Sequence, residues 1–446
     1  MQGCSVIGLG KLGLPLATVL ASSGFDVVGA DLNERLVDAV NRRDIKTPEP
    51  GLADLLAGID ASKLTATTDI QDAVQRTAAT FLIVPTPSDE DHRFSLRFVE
   101  SACREIAQAL ARKSAYHLVV ITSTVMPGAT GSLIAPLLEN ESGKRLGPDF
   151  GVCYSPEFIA LGQALDGMTK PAFLLIGQSD QDAGDALLKI YGGMYRTLPP
   201  VARMSLESAE LAKLSVNTFV TTKISYANMI AAVCEQLPGA DAAHVLGAVG
   251  LDPRIGTSYL KPGLGYGGPC FPRDNLALIA AASSVGREMP LARATNDLNE
   301  QQASRLAEKV IAAAGSNGSV GILGLSYKPN TDVIECSQGI QIAEYLASRG
   351  VAVTVYDPVA MPNAAAVFGD SIEFAESTRD CVKDADVVVI ATAWDEFKRL
   401  TQDDLKQPLS SVVLFDCWDM FDPSRFGPSV RRWVPGSPDI APVAQA

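Results

Sequence analysis

A cysteine flanked by prolines is the first candidate reactive centre of the sequence. The segment GLGYGGPCFPRD spans positions 263–274 and places Cys270 directly after Gly267, Gly268 and a proline. Its glycines and prolines predict a loop in which missing side chains leave room for a ligand, and Asp274 adds a proton acceptor. A free cysteine is most often a buried apolar residue. These neighbours instead favour an accessible thiol, whose thiolate would be a strong nucleophile.

A glycine turn near the N-terminus forms a second candidate site. The stretch VIGLGKLG places Gly8, Gly10 and Gly13 in a GxGxxG spacing that follows a predicted strand and opens a predicted helix. Such a turn lets the backbone approach a pyrophosphate, and its last glycine lets helix and strand pack closely. Asp31 ends the next strand, where a carboxylate would accept hydrogen bonds from a ribose diol and repel a 2′-phosphate. The pattern predicts an NAD site, although a glycine turn that binds nothing would have the same spacing.

A nucleophilic thiol beside bound NAD indicates the oxidation of an aldehyde. The thiol would capture the aldehyde as a thiohemiacetal, a hydride would pass to NAD, and water would release a carboxylate from the resulting thioester. A second glycine-bearing turn, GILGLSYKP, lacks the full GxGxxG spacing and is expected to serve packing or another ligand.

Alternating strands and helices must position these groups. Runs rich in Val, Ile and Leu, separated by helical stretches, occur before residue 200 and return at Ser319, which is typical of parallel sheets covered on both faces. The sequence predicts an α/β protein with two Rossmann-like, doubly wound parallel-sheet domains, joined by a long central helix and a helical middle domain. The expected ranges are about 205–233 for the long helix, 1–200 for the NAD domain, 201–312 for the helical domain with the cysteine loop, 313–436 for the second Rossmann-like domain and 437–446 for a frayed tail.

Bulk composition argues against several classes of partner. The 446 residues carry a net charge of −14, which disfavours nucleic acid and anionic membranes because both need a basic surface. No run predicts a membrane span, and no secretory signal is expected. Eight scattered cysteines without a CxxC pair, together with three histidines, give little support to a metal site and favour a reducing cytoplasm.

Several blocks in order make the chain resemble the UDP-glucose/GDP-mannose dehydrogenase family. They extend over nearly the whole chain and include VIGLGKLGLPLA, ITSTVMPGATG, YSPEFIALG, AELAKLSVNTFVTTKISYANMI, GLDPRIGTSYLKPGLGYGGPCFPRD and GILGLSYKPNTD. The resemblance implies oxidation of the C6 alcohol of a nucleotide sugar to a carboxylate, with two NAD consumed. The cysteine block is most similar to the UDP-glucose branch, so UDP-glucose is the expected substrate and UDP-glucuronate the expected product.

The resemblance also assigns roles to individual residues. Cys270 would be the nucleophile, Lys213 and Asn217 would stabilise the alkoxide and the oxyanion, and Glu157 would be the base in thioester hydrolysis. The residues expected to take part in catalysis are Cys270, Lys213, Asn217, Asp274, Glu157 and Thr124. Those expected at the cofactor are Gly8, Gly10, Leu12, Gly13, Asp31, Thr86 and Thr124. Those expected to bind the nucleotide sugar are Glu157, Lys213, Asn217, Arg254, Tyr259, Tyr266, Gly267 and Lys328, with Arg254 lent by a neighbouring subunit.

Three positions depart from the family pattern. Glu335 stands where the family commonly has an arginine that reaches the cofactor phosphates, and a carboxylate cannot replace that contact. Trp418 stands where an arginine often contacts the substrate, and Leu161 replaces a glutamate. These changes lie at ligand positions, so they leave open which nucleotide sugar is used.

Other functions remain open at this point. The same chemistry could act on a UDP-N-acetylhexosamine or on GDP-mannose. A one-step NAD-dependent hydroxyacid dehydrogenase would share the N-terminal architecture without needing Cys270, and a nucleotide-sugar sensor would bind the same ligands without turnover. The long helix and the shared Arg254 predict a homodimer or a higher homo-oligomer.

Overall fold

The fold is taken from a computed structural model of the chain. It describes residues 3–159, 161–408, 412–422, 424–427 and 430–438. Of the predicted tail 437–446, residues 439–446 lie outside the described residues. The chain divides into two compact units, Met1–Ser215 with Ala280–Gly286, and Val216–Ile279 with Arg287–Ala446.

The first unit is built on a sheet of eight strands within the described residues. In spatial order they run β3-β2-β1-β4-β5-β6-β7-β8. Their bounds are β1 Cys4–Ile7, β2 Val27–Ala30, β3 Leu64–Thr67, β4 Ala79–Leu82, β5 His117–Ile121, β6 Phe150–Tyr154, β7 Leu174–Gln178 and β8 Val201–Ser205. The first six strands have the order 3-2-1-4-5-6, which is that of a dinucleotide-binding Rossmann sheet.

Strand β7 departs from the expected parallel arrangement. It pairs antiparallel with β6, where Cys153 faces Gln178 and Tyr154 faces Gly177, and β8 then runs parallel to β7. A buried strand has the same apolar composition in either direction, so the sequence could not reveal this reversal.

Fifteen α-helices lie within the described residues. Their bounds are α1 Gly13–Ser22, α2 Glu34–Arg42, α3 Leu52–Ala57, α4 Ile70–Gln75, α5 Arg97–Ala111, α6 Ala135–Ser142, α7 Ala164–Thr169, α8 Gln181–Met194, α9 Leu206–Gln236, α10 Ala242–Gly250, α11 Phe271–Ser284, α12 Pro290–Ala314, α13 Gln338–Ser348, α14 Met361–Phe368 and α15 Thr378–Val382. A π-helical turn, Thr130–Ile134, precedes α6. In the part of the chain that the structure describes, no helix is both long and apolar enough to cross a membrane.

The second unit contains a six-stranded, entirely parallel sheet in the order β11-β10-β9-β12-β13-β14, counted over the described residues. Its strands are β9 Ser319–Leu323, β10 Ala352–Tyr356, β11 Glu373–Phe374, β12 Val387–Ile390, β13 Val413–Asp416 and β14 Arg431–Trp433. Numbered within the unit, this order is again 3-2-1-4-5-6. The prediction of two Rossmann-like sheets is therefore confirmed.

Each sheet has an apolar core on both faces. In the first unit Val6 and Phe81 belong to one buried cluster, whereas their neighbours Ile7 and Leu82 belong to the other. Successive side chains of a strand point to opposite faces, so strands covered on both sides must be apolar at every position. The second unit has two corresponding clusters on its own sheet.

The long helix predicted for about residues 205–233 is α9, which extends over 31 residues. It begins in the first unit and continues into the second. In the first unit its buried Glu210 accepts hydrogen bonds from the backbone N–H groups of Gly128 and Thr130, at 2.5 Å and 2.8 Å. That carboxylate fixes the start of α9 to the turn after β5.

Candidate functional site

The glycine turn after β1 is shaped by two close backbone contacts and one opening. Gly8 has a φ of +89°, and a Cβ there would lie 2.1 Å from the carbonyl oxygen of Ile83. A Cβ on Gly13 would lie 1.7 Å from the carbonyl oxygen of Gly8, so only glycine lets α1 start this close to the strand. A Cβ on Gly10 would meet nothing within 4 Å. The open position is the one that the motif reserves for a pyrophosphate.

Asp31 is fixed beside this turn at the end of β2. Its Oδ2 accepts a hydrogen bond from the N–H of Leu9 at 2.7 Å, and its Oδ1 accepts one from the N–H of Asn33 at 2.9 Å. The carboxylate is half-buried, and each of its oxygens retains acceptor capacity for a ribose hydroxyl. Leu12, also predicted at the cofactor, is half-buried immediately before α1. The residues present therefore fit a dinucleotide.

The corresponding turn of the second unit is closed. The buried Asp357 occupies the place of Asp31, at the end of β10. Its donors are the backbone N–H groups of Leu325, Ser326, Val359 and Ala360, the Ser326 hydroxyl and the Trp394 indole. A Cβ on Gly324 would lie 2.4 Å from Thr392. This turn uses its acidic residue for its own packing and leaves little acceptor capacity for a ribose.

Thr86 and Thr124 lie together after the neighbouring strands β4 and β5. The hydroxyl of Thr86 donates a hydrogen bond to the backbone oxygen of Thr124 at 2.8 Å. Thr124 is half-buried and Thr86 is buried. The carboxyl ends of parallel strands meet at one edge of a sheet, so both residues share the sheet edge with the glycine turn.

Glu157 and Lys213 form a pair in the first unit. The Lys213 Nζ donates to the backbone oxygen of Glu157 at 2.6 Å and lies 4.5 Å from the centroid of the Phe158 ring. Lys213 is only 7% exposed, so a solvated position on α9 is excluded. Burial raises the pKa of Glu157 to about 7, and the Lys213 ammonium opposes that rise. A carboxyl group with this pKa is suited to proton transfer near neutral pH.

Cys270 lies at the N-terminus of a helix. The sequence predicts a loop through Asp274, but α11 begins at Phe271 and the N–H of Asp274 donates to the backbone oxygen of Cys270 at 2.8 Å. A proline in the first turn is compatible with a helix, since its missing N–H has no partner there in any case. Cys270 is exposed, and the positive end of a helix dipole favours a thiolate.

Asp274 is held one turn after the cysteine. It is 1% exposed, and its Oδ2 accepts a hydrogen bond from the Nδ2 of Asn217 at 2.7 Å. Asn217 belongs to α9, and both residues lie in the second unit. The structure therefore brings together the predicted set Cys270, Asp274 and Asn217.

The glycines before Cys270 have a packing role that the sequence did not predict. A Cβ on Gly267 would lie 2.3 Å from the backbone oxygen of Cys336, and one on Gly268 would lie 2.5 Å from the Tyr327 ring. The positions that these two Cβ atoms would take are thus filled by the chain itself, so packing alone requires glycine here. The substrate-binding role of Gly267 stays a prediction. Tyr327 was missed by sequence reasoning. Burial, and then the charge of a Cys270 thiolate, raise the pKa of its phenol, so this group stays protonated beside the thiol.

The remaining predicted substrate residues all lie in the second unit. Tyr266 is buried, and its hydroxyl donates to the backbone oxygen of Thr295 and accepts from the Asn275 amide. Its side chain therefore helps to hold the cysteine loop in place. Arg254 has an 87% exposed side chain and pairs with Asp252. Tyr259 is exposed with a φ of +59°, a backbone conformation that costs energy for a non-glycine residue. The half-buried Lys328 follows Tyr327, and binding roles for these residues stay predictions.

The three departures from the family pattern have distinct environments. The side chain of Glu335 is exposed, while its backbone oxygen accepts a hydrogen bond from Gly268 at 2.8 Å. Trp418 packs against the cysteine loop, since a Cβ on Gly263 would lie 3.0 Å from its ring. Leu161 is half-buried in the turn before α7.

Two glycine variants distinguish a position needed for NAD binding from a position needed for packing. Gly13→Ala is expected to lower the melting temperature, because its Cβ overlaps the Gly8 carbonyl oxygen. Gly10→Ala is expected to keep the wild-type melting temperature and to weaken NAD binding, because its Cβ enters space that the protein leaves empty. Thermal unfolding and titration with NAD measure both effects. Wild-type NAD affinity in Gly10→Ala would mean that the dinucleotide does not cross this turn.

Comparison with known proteins identifies the domains that carry the glycine turn and the cysteine loop. Models of the UDP-glucose/GDP-mannose dehydrogenase family match residues 2–195 as its NAD binding domain, 207–301 as its central domain and 321–423 as its UDP binding domain. A UDP-glucose 6-dehydrogenase of Haloferax volcanii is 39% identical over 399 residues, covering 89% of this chain and 92% of the relative. A GDP-mannose 6-dehydrogenase of Pseudomonas savastanoi pv. phaseolicola is 33% identical over 411 residues, covering 89% of this chain and 92% of the relative.

A solved structure extends the likeness to the fold. The UDP-glucose dehydrogenase from the hyperthermophilic archaeon Pyrobaculum islandicum is 36% identical, with a TM-score of 0.86 and 97% of each chain covered. Since three domain models match in order and these relatives exceed 30% identity over most of the chain, the protein belongs to the UDP-glucose/GDP-mannose dehydrogenase family and carries that family's NAD-binding domain.

Proposed function

We propose that the protein oxidises UDP-glucose to UDP-glucuronate, consuming two NAD and one water. The observation that carries this proposal is the exposed Cys270 at the N-terminus of α11, with the buried Asp274 one turn later and held by Asn217. A one-step hydroxyacid dehydrogenase would not need this thiol, and a sensor would not need the acid beside it. A nucleophile that retains the aldehyde as a covalent adduct splits the second oxidation into two easier steps.

The roles of the chain's own residues follow from their environments. Cys270 forms a bond from sulfur to the aldehyde carbon, and its thiol proton passes to Asp274. Lys213 and Asn217 donate hydrogen bonds to the oxygen at C6, which stabilises the alkoxide and then the oxyanion. When bound at the glycine turn, NAD would serve as the hydride acceptor. Glu157 takes a proton from the hydrolytic water, with Thr124 and Asp274 orienting it. The carbon–sulfur bond then breaks, and the departing sulfur takes back the proton from Asp274 to restore the thiol.

We assign the ligands to segments of the chain as the sequence predicts. Residues 1–200 would bind NAD, residues 313–436 would bind the nucleotide part of the sugar, and residues 201–312 would supply the cysteine loop. Tyr259, Lys328 and a neighbouring subunit's copy of Arg254 would hold the nucleotide sugar. Because scattered unpaired cysteines favour a reducing compartment, we place the activity in the cytoplasm.

A second candidate substrate is another nucleotide sugar. The relative named a GDP-mannose 6-dehydrogenase is 33% identical to this chain, and Glu335, Trp418 and Leu161 depart from the pattern at ligand positions. The same residues would then act on GDP-mannose or on a UDP-N-acetylhexosamine. Parallel assays with these sugars separate the candidates.

The stoichiometry of the reaction tests the proposed function. With excess NAD and limiting UDP-glucose, we expect two NADH per sugar, read from absorbance at the endpoint. Cys270→Ser should stop formation of the carboxylate, because an alcohol is a poor substitute for a thiolate nucleophile. Cys336→Ser, which removes the other exposed thiol, is the matched control and should retain two NADH. One NADH per sugar, or full acid formation by Cys270→Ser, would refute the thioester route.

Glu157 predicts the pH dependence of the hydrolytic step. Since its pKa is about 7 and only the carboxylate accepts a proton, hydrolysis should accelerate as the pH rises through 7 and level off above it. Glu157→Gln should slow turnover about a hundredfold or more and remove this limb. It should give a burst of two NADH per active site and a covalent adduct on Cys270, seen by intact-protein mass spectrometry. An unchanged pH profile in Glu157→Gln would exclude this residue as the base.

We further propose that the protein forms a homodimer or a higher homo-oligomer through α9. Five apolar side chains at helical spacing are 40–65% exposed: Phe219, Tyr226, Met229, Val233 and Leu237. Such a stripe favours pairing with a second copy. Val233→Glu should lower the molar mass measured by light scattering to that of one chain, 47.0 kDa. Val367→Glu on α14, also at an exposed apolar residue, is the control, and a wild-type protein of one-chain mass would contradict the proposal.

A further inference from the structure

We propose that Asn228 and Asn299 are positioning residues for the nucleophile Cys270. This inference rests on the proposed function of Cys270 and adds to it the residues that fix its loop. Asn228 belongs to α9, and Asn299 belongs to α12. Both lie with the loop in the second unit.

Asn228 forms hydrogen bonds to the first residues of the cysteine loop through both the oxygen and the nitrogen of its side-chain amide. Its Oδ1 accepts a hydrogen bond from the N–H of Gly263 at 3.0 Å, and its Nδ2 donates one to the backbone oxygen of Leu264 at 3.2 Å. Asn228 is 2% exposed, so water cannot easily replace these bonds. The Asn228 amide thus pairs with the backbone groups of Gly263 and Leu264 in the way that a neighbouring strand would in a sheet.

Asn299 makes the same kind of contact three residues further along. Its Oδ1 accepts from the N–H of Tyr266 at 2.7 Å, and its Nδ2 donates to the backbone oxygen of Tyr266 at 2.9 Å. Gly265 is required beside this clamp, because a Cβ there would lie 2.5 Å from the Asn299 Oδ1. An amide side chain presents a donor and an acceptor side by side at every pH, as this contact requires.

The far end of the loop is held from α9 as well. Asn217 binds Asp274 after the cysteine, and Asn228 binds Gly263 and Leu264 before it. The two asparagines are eleven residues apart, which is about three turns, and so they share one face of the helix. The buried Thr221 lies between them on that face, and its hydroxyl donates a hydrogen bond to the backbone oxygen of Thr218 at 2.9 Å. One rigid helix therefore sets the positions of both ends of the loop.

This arrangement has a consequence for Cys270. The thiol is exposed, and Cys270 lies between loop residues fastened by Asn228 and Asn299 and the Asp274 that Asn217 binds, so its position depends on those residues. Displacement of a reacting group by about 1 Å can cost on the order of a hundredfold in rate. Loss of either clamp should therefore lower the rate of the chemical step more than it lowers the affinity for NAD.

Alanine variants with a control on the same helix test the proposal. Asn228→Ala and Asn299→Ala should lower kcat about tenfold to a hundredfold, with the KM for NAD changed less than about twofold. Iodoacetamide labelling, read peptide by peptide in a mass spectrometer, should show an altered alkylation rate at Cys270. Asn296→Ala is the control, because this asparagine lies one turn earlier on α12 and its amide binds Glu300 instead. It should behave as wild type.

The outcomes separate this inference from the proposed function, because alkylation needs no turnover. Wild-type kcat and wild-type Cys270 labelling in both alanine variants would overturn the inference and leave the thioester route intact. An equal loss in Asn296→Ala would overturn it as well. Should the alanine variants fail to fold, Asn228→Asp and Asn299→Asp decide. A protonated carboxyl carries a donor and an acceptor, so their rates relative to wild type should recover as the pH falls, and a flat ratio would refute the clamp.

Discussion

The polar groups buried along one face of α9 each require a hydrogen-bond partner, and the cysteine loop depends on that constraint. Asn217, Thr221 and Asn228 are all at most 8% exposed, and a buried amide without partners is costly. The loop has the complementary need, since its backbone lies outside any sheet before α11 begins. The asparagine side chains of the helix and the backbone groups of the loop supply hydrogen-bond partners to one another. The exposed thiol of Cys270 is therefore held by residues that are themselves buried.

The two sheets show how one topology serves two purposes. Both have the order 3-2-1-4-5-6 in their parallel strands, and both place an aspartate at the end of the second strand. Asp31 makes two backbone hydrogen bonds and retains acceptor capacity, whereas Asp357 accepts six. Since function is carried by the site and not by the fold, the carboxylate that is left available marks the turn that can hold a dinucleotide.

Much of the fold could be predicted from local pattern, because a strand buried on both faces and a helix of 31 residues without Pro or Gly have unmistakable composition. The reversed direction of β7 could not, since composition does not encode direction. The start of α11 at Phe271 was also missed, because Pro272 and the glycines before it suggested a loop, although proline is well tolerated in a first turn. The packing of Tyr327 and Cys336 against Gly267 and Gly268 joins segments some sixty residues apart and leaves no local trace.

The sequence by itself determined the candidate reactive groups and the cofactor turn: Cys270, Asp274, Asp31 and the three glycines are recognisable because the chemistry expected of them depends on residue type and short spacing. Tertiary structure alone decided which groups support them. Asn228 and Asn299 resemble any polar residue on a helix until the chain has folded, and Glu157 acquires a pKa of about 7 only through burial. Hydrogen bonding and desolvation depend on neighbours brought together from distant parts of the chain, and a linear pattern carries no record of them.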